Sequence, residues 1–270
     1  MKAADQFRQE REERIRSYDH DKTMRTMSRD WLQMSMAKQY VYNFEWLGRP
    51  IIQYPQDMVA MQELVWAVRP DLIIETGIAH GGSLVLSASL LAMLDMCDAI
   101  SDGRSFDPRE SRRRVLGIDI DIREHNRAAI ESHPMASRIE MLQGSSIAPE
   151  LVAQVRERAA GFDRVLVCLD SMHTHDHVVA ELEAYAPLVT PGSYCIVFDT
   201  FVEDMPPKFF ADRPWDVGNN PKTAVQHYMR GLSAEPGVDA RGRPLQFQID
   251  EAIEAKLQVT VAPNGFLKRL

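Results

Sequence analysis

The fold of this chain is decided by one stretch, PDLIIETGIAHGGS at residues 70–83. A short apolar run leads into Glu75, a glycine turn that starts at Gly77 follows, and a long apolar helix begins at Ser83. This order predicts a buried parallel strand, a tight loop and a helix N-terminus, which is where ligands bind in α/β sheets. The glycines lack a Cβ, so the backbone can turn sharply and approach a ligand closely.

The same pattern of an apolar strand followed by an acid recurs along the chain. Further strands are predicted at residues 115–121, 138–146 with its loop, 164–170 and 193–198, with helices between them. We therefore expect an α/β fold, a doubly wound and mostly parallel Rossmann-like sheet. The acids at the strand ends are Asp119, Asp121, Asp170 and Asp199. Because parallel strands share one carboxyl edge, these acids should converge on a single crevice. The alternative is that they cap the helices that follow.

The predicted ligand of this crevice is a nucleoside rather than a nucleotide. Gly77, Gly81 and Gly82 do not form the G-x-G-x-x-G fingerprint of dinucleotide sites, and the sequence has no G-x-x-x-x-G-K-[ST] phosphate loop. Glu75 is suited to accept hydrogen bonds from hydroxyl or amino groups and would repel a phosphate. A carboxylate that holds a ribose without phosphate recognition points to S-adenosylmethionine.

Residues 170–177, DSMHTHDH, are the second group of candidate functional residues, because three histidines follow a strand-terminal acid. Imidazole exchanges protons near neutral pH, so His173, and with it His175, is a candidate general base or metal ligand. His177 has the alternative role of capping the next helix. Asp170 and Asp199 could together hold Mg²⁺ through their oxygens, and structural hydrogen bonding is the alternative.

The composition restricts the class of protein. A net charge of −8 and a pI near 5.5 argue against nucleic acid as the partner, since phosphate binding needs a basic face. The charged start of the chain does not resemble a signal peptide, and no apolar run suggests a membrane span. The three cysteines are scattered without metal-site spacing. We therefore expect a cytoplasmic protein with a small-molecule or glycan acceptor.

The sequence also allows predictions for the N-terminal residues and for the part of the chain after residue 199. Residues 1–46 are predicted to form an N-terminal helical arm, and the aromatic-rich part of this arm makes a homo-oligomer plausible. Residues 200–220 combine prolines, glycines and aromatics, which is typical of a loop that covers a site. Residues 247–250 and 257–261 are predicted to close the sheet as an antiparallel pair.

Five motifs together resemble the cephalosporin-hydroxylase family. They are ETGIAHGGS at 75–83, GIDID at 117–121, QGSS at 143–146, DSMH at 170–173 and VFD at 197–199. Members of this family look like class I S-adenosylmethionine-dependent methyltransferases and include sugar O-methyltransferases that act on rhamnosyl and related deoxysugars. The resemblance covers residues 47–270, which we expect to form the methyltransferase domain.

The resemblance implies roles for individual residues. It implies that the methionine part of the cofactor is lined by Glu75, Gly77, His80, Gly81, Gly82 and Ser83. It places Asp119, with Asp121 beside it, at the ribose and the Ser145–Ser146 pair near the adenine. Asp170 and Asp199 correspond to Mg²⁺ ligands of relatives. This chain has Phe198 where relatives can carry a second acid, which leaves one ligand fewer and favours His173 as the base.

Three functional hypotheses follow. The first is a sugar O-methyltransferase in which His173, or Asp170 with a metal, deprotonates the acceptor hydroxyl. The second keeps the reaction but uses a non-sugar acceptor, such as an antibiotic intermediate. The third is a non-catalytic assembly subunit that retains a cofactor pocket.

Overall fold

The computed structural model describes residues 3–270, and within them a central seven-stranded sheet is flanked by helices. The strands are β1 (Phe44–Trp46), β2 (Arg49–Ile51), β3 (Leu72–Thr76), β4 (Arg114–Asp119), β5 (Ile139–Gln143), β6 (Val165–Leu169), β7 (Tyr194–Val197), β8 (Phe247–Ile249) and β9 (Phe266–Arg269). The helices are α1 (Ala3–His20), α2 (Lys22–Ala37), α3 (Pro55–Val68), α4 (Gly82–Asp102), α5 (Glu124–Glu131), α6 (Pro149–Ala159), α7 (His175–Tyr185), α8 (Pro221–Ala234) and α9 (Glu251–Leu257).

The strand order of the main sheet is β5-β4-β3-β6-β7-β9-β8. The first five strands in this order are parallel, and β9 pairs antiparallel with both β7 and β8. The predicted doubly wound, mostly parallel sheet is therefore confirmed. Because β3 is the middle one of the five parallel strands and the chain winds outward on both sides of it, the carboxyl ends of β3, β4 and β6 meet at the topological switch point.

The prediction for the antiparallel strand pair that closes the sheet was wrong for one of its two strands. Residues 247–249 form β8 as expected, but its partner is β9 at Phe266–Arg269 and not residues 257–261. The intervening sequence EAIEAKL is rich in helix-forming residues and forms α9. Residues 259–262 are a buried connection, held in part by the Asp57 carboxylate, which accepts a hydrogen bond from the backbone N–H of Val261 at 3.0 Å.

The core lies on both faces of the sheet. The strands β3, β6 and β7 are buried along their whole length, as expected of parallel strands covered on both faces. Helix α4 is apolar on nearly all sides and, by length and composition, could span a membrane. More than half of it is buried inside the protein, which is typical of a core helix.

The predicted N-terminal extension is helical. Helix α1 is exposed along most of its length, and α2 buries only one side against the rest of the protein. Leu32 and Met36 on that side pack in an apolar cluster with Tyr54 and Val259. The end of α2 therefore reaches the same edge of the sheet as the strand ends.

Candidate active site

The carboxyl ends of the central strands open into a cleft of about 840 Å³. Gly77, directly after β3, lines it with a φ of 88°, a left-handed conformation that favours glycine. A Cβ at this position would overlap the carbonyl oxygen of Asp170, so the two strand ends approach too closely for any side chain. A Cβ at Gly82 would likewise overlap the carbonyl oxygen of Pro50. Both glycines are required for the shape of the cleft.

The rest of the glycine turn divides into lining and supporting residues. His80 and Ser83 line the cleft, and the carbonyl oxygen of His80 accepts a hydrogen bond from Arg49 Nε at 3.0 Å. Gly81 lies outside the lining, where a Cβ would overlap the side chain of Ile130.

Glu75 lies beneath the turn instead of facing the cleft. Its carboxylate is buried and accepts a hydrogen bond from the Ser83 hydroxyl. Burial raises the pKa of Glu75 to about 7, although the Ser83 hydrogen bond acts in the opposite direction. Among the described residues, the hydrogen-bond partner of the Glu75 side chain is Ser83, and this bond supports the turn from below.

Asp119 at the end of β4 does line the cleft. Its Oδ2 accepts a hydrogen bond from the backbone N–H of Ile78 at 2.8 Å, and its Oδ1 accepts one from the N–H of Asp121 at 3.0 Å. These bonds connect the β3 and β4 loops and fix the carboxylate at the cleft wall. Asp121 itself is exposed and lies outside the lining. Ser145 and Ser146 line the cleft on the loop after β5.

Three ionisable groups meet at the ends of β6 and β7. Ligand atoms of Asp170, His173 and Asp199 all lie within 4.8 Å of one another, and His173 Nε2 is 3.1 Å from Asp199 Oδ2. Asp199 has a φ of 55°, an uncommon conformation for a non-glycine residue. Burial, followed by the charge of Asp199, raises the pKa of Asp170 well above its usual value. Two carboxylates this close are stabilised by a cation or by an imidazolium.

The residues of this cluster fit a divalent cation. Carboxylate oxygens are the ligands that Mg²⁺ prefers, and an added imidazole nitrogen also suits Mn²⁺ or Zn²⁺. The sequence predicted Asp170 and Asp199 as the Mg²⁺ ligands and His173 as a candidate base or metal ligand, and the structure brings all three together. Phe198 packs in the hydrophobic core and takes no place in the cleft.

The structure separates the other two histidines of the segment. His175 lies outside the cleft lining, where its Nδ1 is 2.8 Å from Thr223 Oγ1 of α8 and its backbone N–H donates to Asn219 Oδ1. This placement does not support the predicted catalytic role of His175. His177 does line the cleft, with its Nε2 3.1 Å from both Ser146 Oγ and Ser171 Oγ.

Two segments cover the cleft. The predicted covering loop contributes Phe209, Phe210 and Trp215, and the Trp215 ring meets the His173 ring edge-on at 4.7 Å. The second segment is the end of α2 and the turn after it, residues 36–42, which shares an apolar cluster with the covering loop. Nothing in the sequence placed this segment, because its position depends on how α2 packs against the domain.

Gln53 is a further lining residue that sequence reasoning missed. Its side chain is buried, and among the described residues its Oε1 has no hydrogen-bond partner. A buried amide oxygen without a partner is uncommon in native structures. The only signal available beforehand was its position just before α3.

Comparison with known proteins identifies relatives of this chain. A rhamnosyl O-methyltransferase from Mycobacterium leprae (strain TN) is 28% identical over 227 residues, covering 83% of this chain and 82% of that protein. One from Mycobacterium tuberculosis (strain ATCC 25618 / H37Rv) is 27% identical over 219 residues, covering 79% and 73%. A solved structure of CmcI with Mg and S-adenosylmethionine aligns with a TM-score of 0.52 at 16% identity, covering 85% of this chain and 77% of that one. This likeness supports the fold.

The family assignment rests on the match over most of the sequence. A model of the family described as rhamnosyl O-methyltransferase/CmcI matches residues 38–270, and so begins at the turn that forms the wall of the cleft. This match confirms the resemblance carried by the five sequence motifs. The chain belongs to the rhamnosyl O-methyltransferase/CmcI family.

Proposed function

We propose that this protein is an S-adenosylmethionine-dependent O-methyltransferase that methylates a hydroxyl group of a rhamnose-like deoxysugar or its glycoside. The observation that carries this proposal is the His173–Asp199 pair at one end of a cleft whose other end is formed by Asp119 and Ser146. A proton acceptor and a nucleoside-sized binding surface thus share one cavity. The sugar acceptor is inferred from the rhamnosyl O-methyltransferases that this chain resembles.

The cleft has the features that the cofactor needs. The glycine turn lets the backbone approach the methionine portion, and the Asp119 carboxylate lies where ribose hydroxyls can donate to it. S-adenosylmethionine supplies an electrophilic methyl group, so the protein must mainly align the acceptor and remove its proton.

His173 is the proposed general base. If its Nε2–H donates to Asp199 Oδ2, the neutral ring keeps a lone pair on Nδ1, which takes the proton of the acceptor hydroxyl. Asp199 then stabilises the imidazolium that forms, as a carboxylate does behind a catalytic histidine. The alkoxide attacks the methyl group in line with the bond that breaks.

A divalent cation would be held by Asp170 and Asp199, with His173 beside them. There it would lower the pKa of the acceptor hydroxyl and offset the negative charge of the two acids. We expect one Mg²⁺ or Mn²⁺ per chain in a calorimetric titration of the wild type. Asp170→Asn should weaken this binding by at least about ten-fold, as loss of metal-site groups commonly does.

The control for the metal titration is Asp121→Asn, because Asp121 is an exposed acid outside the cleft lining. It should bind the cation as the wild type does. A wild type that shows no heat of binding with either cation would contradict the metal site. Full turnover in excess EDTA would then assign proton removal to His173 alone.

Trp215 is proposed to pack against the apolar face of the acceptor. Its ring lines the cleft directly beside His173, and carbon–hydrogen faces of sugars pack well on aromatic rings. Trp215→Ala should raise the KM for the acceptor by about three- to ten-fold, the effect of losing one aromatic contact. Trp66→Ala, an exposed tryptophan on α3, is the control and should leave KM unchanged. An unaltered KM in Trp215→Ala would remove this contact from the acceptor site.

Calorimetry with S-adenosylhomocysteine separates this function from a non-catalytic assembly subunit. An enzyme of the proposed kind binds this product in a one-to-one complex. No measurable binding would favour the subunit hypothesis, and binding without transfer to deoxysugars would favour a different small-molecule acceptor.

Several broader predictions remain part of the proposal. We infer a cytoplasmic location, no nucleic-acid partner and a homo-oligomer. The acidic net charge supports the absence of a nucleic-acid partner, and the exposed N-terminal helices support the homo-oligomer. The division into an arm at 1–46 and a domain at 47–270 is also proposed, with residues 36–42 of the arm completing the cleft.

A further inference from the structure

A buried carboxylate lies beneath the cleft at a point that the proposed methyl transfer does not use. Glu181 of α7 is fully buried, and its Oε2 has no hydrogen-bond partner among residues 3–270. Its Oε1 accepts a hydrogen bond from Ser171 Oγ at 2.6 Å and lies 3.5 Å from His177 Nε2. Burying a carboxylate with so few partners costs free energy. Local violations of this kind concentrate at functional sites.

Glu181 sets the direction of a chain of hydrogen bonds that ends in the cleft. Ser171 has one hydroxyl proton and donates it to Glu181, so its oxygen can only accept from His177 Nε2, 3.1 Å away. Nε2 therefore carries a proton. Ser146 Oγ, also 3.1 Å from Nε2, is an acceptor for the same N–H, which leaves its own proton free. Tyr185 fixes the position of Ser146 by donating to its carbonyl oxygen.

We propose that Glu181 is a positioning residue that makes Ser146 a hydrogen-bond donor to the nucleobase of the cofactor and thereby selects adenine. This inference rests on the proposed use of S-adenosylmethionine. With the reacting groups at the ends of β6 and β7 and the ribose at Asp119 on β4, the base reaches the loop after β5, where Ser146 lies.

The edge of the base that meets Ser146 is the one farthest from the ribose, which is the Watson–Crick edge. In adenine the ring nitrogen of this edge accepts a hydrogen bond, whereas in hypoxanthine it carries a proton. A donor fixed at Ser146 therefore pairs with adenine and faces another donor in hypoxanthine. A mismatch of this kind leaves the Ser146 hydroxyl proton without an acceptor and lowers affinity.

The test compares the Kd values of S-adenosylhomocysteine and S-inosylhomocysteine by calorimetry. The wild type should bind the adenine compound at least about ten-fold more tightly, the usual effect of an unpaired buried donor. Glu181→Gln keeps the shape of the side chain, but its amide can donate as well as accept. The direction of the hydrogen-bond chain is then no longer fixed, and Ser146 can accept from the base as well as donate to it. The variant should therefore bind the adenine compound no more than about three-fold more tightly than the hypoxanthine compound. Glu183→Gln changes an exposed glutamate on the same helix and should keep the preference.

A second variant keeps the test decisive if Glu181→Gln does not fold. Ser171→Ala removes the middle hydroxyl of the chain and should reduce the preference in the same way. Retention of the full preference in whichever of these variants folds would overturn the proposal, as would a wild type that binds both compounds tightly and equally. A wild type that binds neither compound would instead refute the proposed function, and this inference with it.

Discussion

Replacing His173 with alanine lowers turnover by about 10²–10⁴-fold, the usual contribution of a general base, while S-adenosylhomocysteine binds as it does to the wild type. The reason is positional. His173 lies against Asp199 and Trp215 at the reacting end of the cleft, whereas the glycine turn, Asp119 and Ser146 remain in place. Single-turnover rates and the Kd of the product separate the two effects.

His175→Ala is the matched control, two residues away on the same segment. Its ring contacts Thr223 of α8 outside the cleft, so its loss should change turnover by no more than a few-fold. The proposed base would be wrong if His173→Ala kept full turnover, or if His175→Ala lost as much activity as His173→Ala.

Replacing Gly77 with alanine abolishes cofactor binding and destabilises the fold. The new Cβ overlaps the carbonyl oxygen of Asp170, so the β3 and β6 loops must separate at the centre of the cleft. The positive φ of 88° adds about 1–2 kcal/mol of backbone strain, and overpacking of the site adds about 1–3 kcal/mol. The free energy of unfolding, from chemical denaturation, should therefore fall by about 2–5 kcal/mol.

Gly192→Ala isolates the backbone contribution. Gly192 has a φ of 80°, close to that of Gly77, but no atom lies within 4 Å of the Cβ it would gain. This variant should lose only about 1–2 kcal/mol and keep its affinity for S-adenosylhomocysteine. If Gly77→Ala and Gly192→Ala lowered the free energy of unfolding by the same amount, the close approach of Gly77 to Asp170 would add nothing to the effect of the substitution.

The sheet could be predicted from the sequence because its signals are local. Each parallel strand is a short, mostly apolar run bounded by a turn, and in all of them except β5, which ends at Gln143, an acid lies at or next to the end of the run. Asp119, Asp170 and Asp199 could be placed at one edge because parallel strands share a direction. The partner of β8 could not be predicted, since the choice between residues 257–261 and 266–269 depends on α9 forming between them.

The details of the site depended on side-chain directions that the sequence does not encode locally. Glu75 and Asp119 both lie at the carboxyl ends of their strands. The Glu75 side chain lies beneath the loop and accepts a hydrogen bond from Ser83, whereas Asp119 lines the cleft. His173 and His175 are two residues apart, but His175 forms a hydrogen bond with Thr223 of α8 and therefore lies outside the cleft. The N-terminal wall was missed for the same reason, because only tertiary packing brings α2 to the cleft.

The most direct test of the proposed function is transfer of an isotopically labelled methyl group from S-adenosylmethionine to a rhamnoside acceptor, followed by NMR of the isolated product. We predict one new O–CH₃ signal on the sugar, formed by the wild type with release of an equal amount of S-adenosylhomocysteine, and formed at least about 10²-fold more slowly by His173→Ala. Tight binding of S-adenosylhomocysteine with no O-methylated sugar from any deoxysugar glycoside, with or without Mg²⁺, would contradict it.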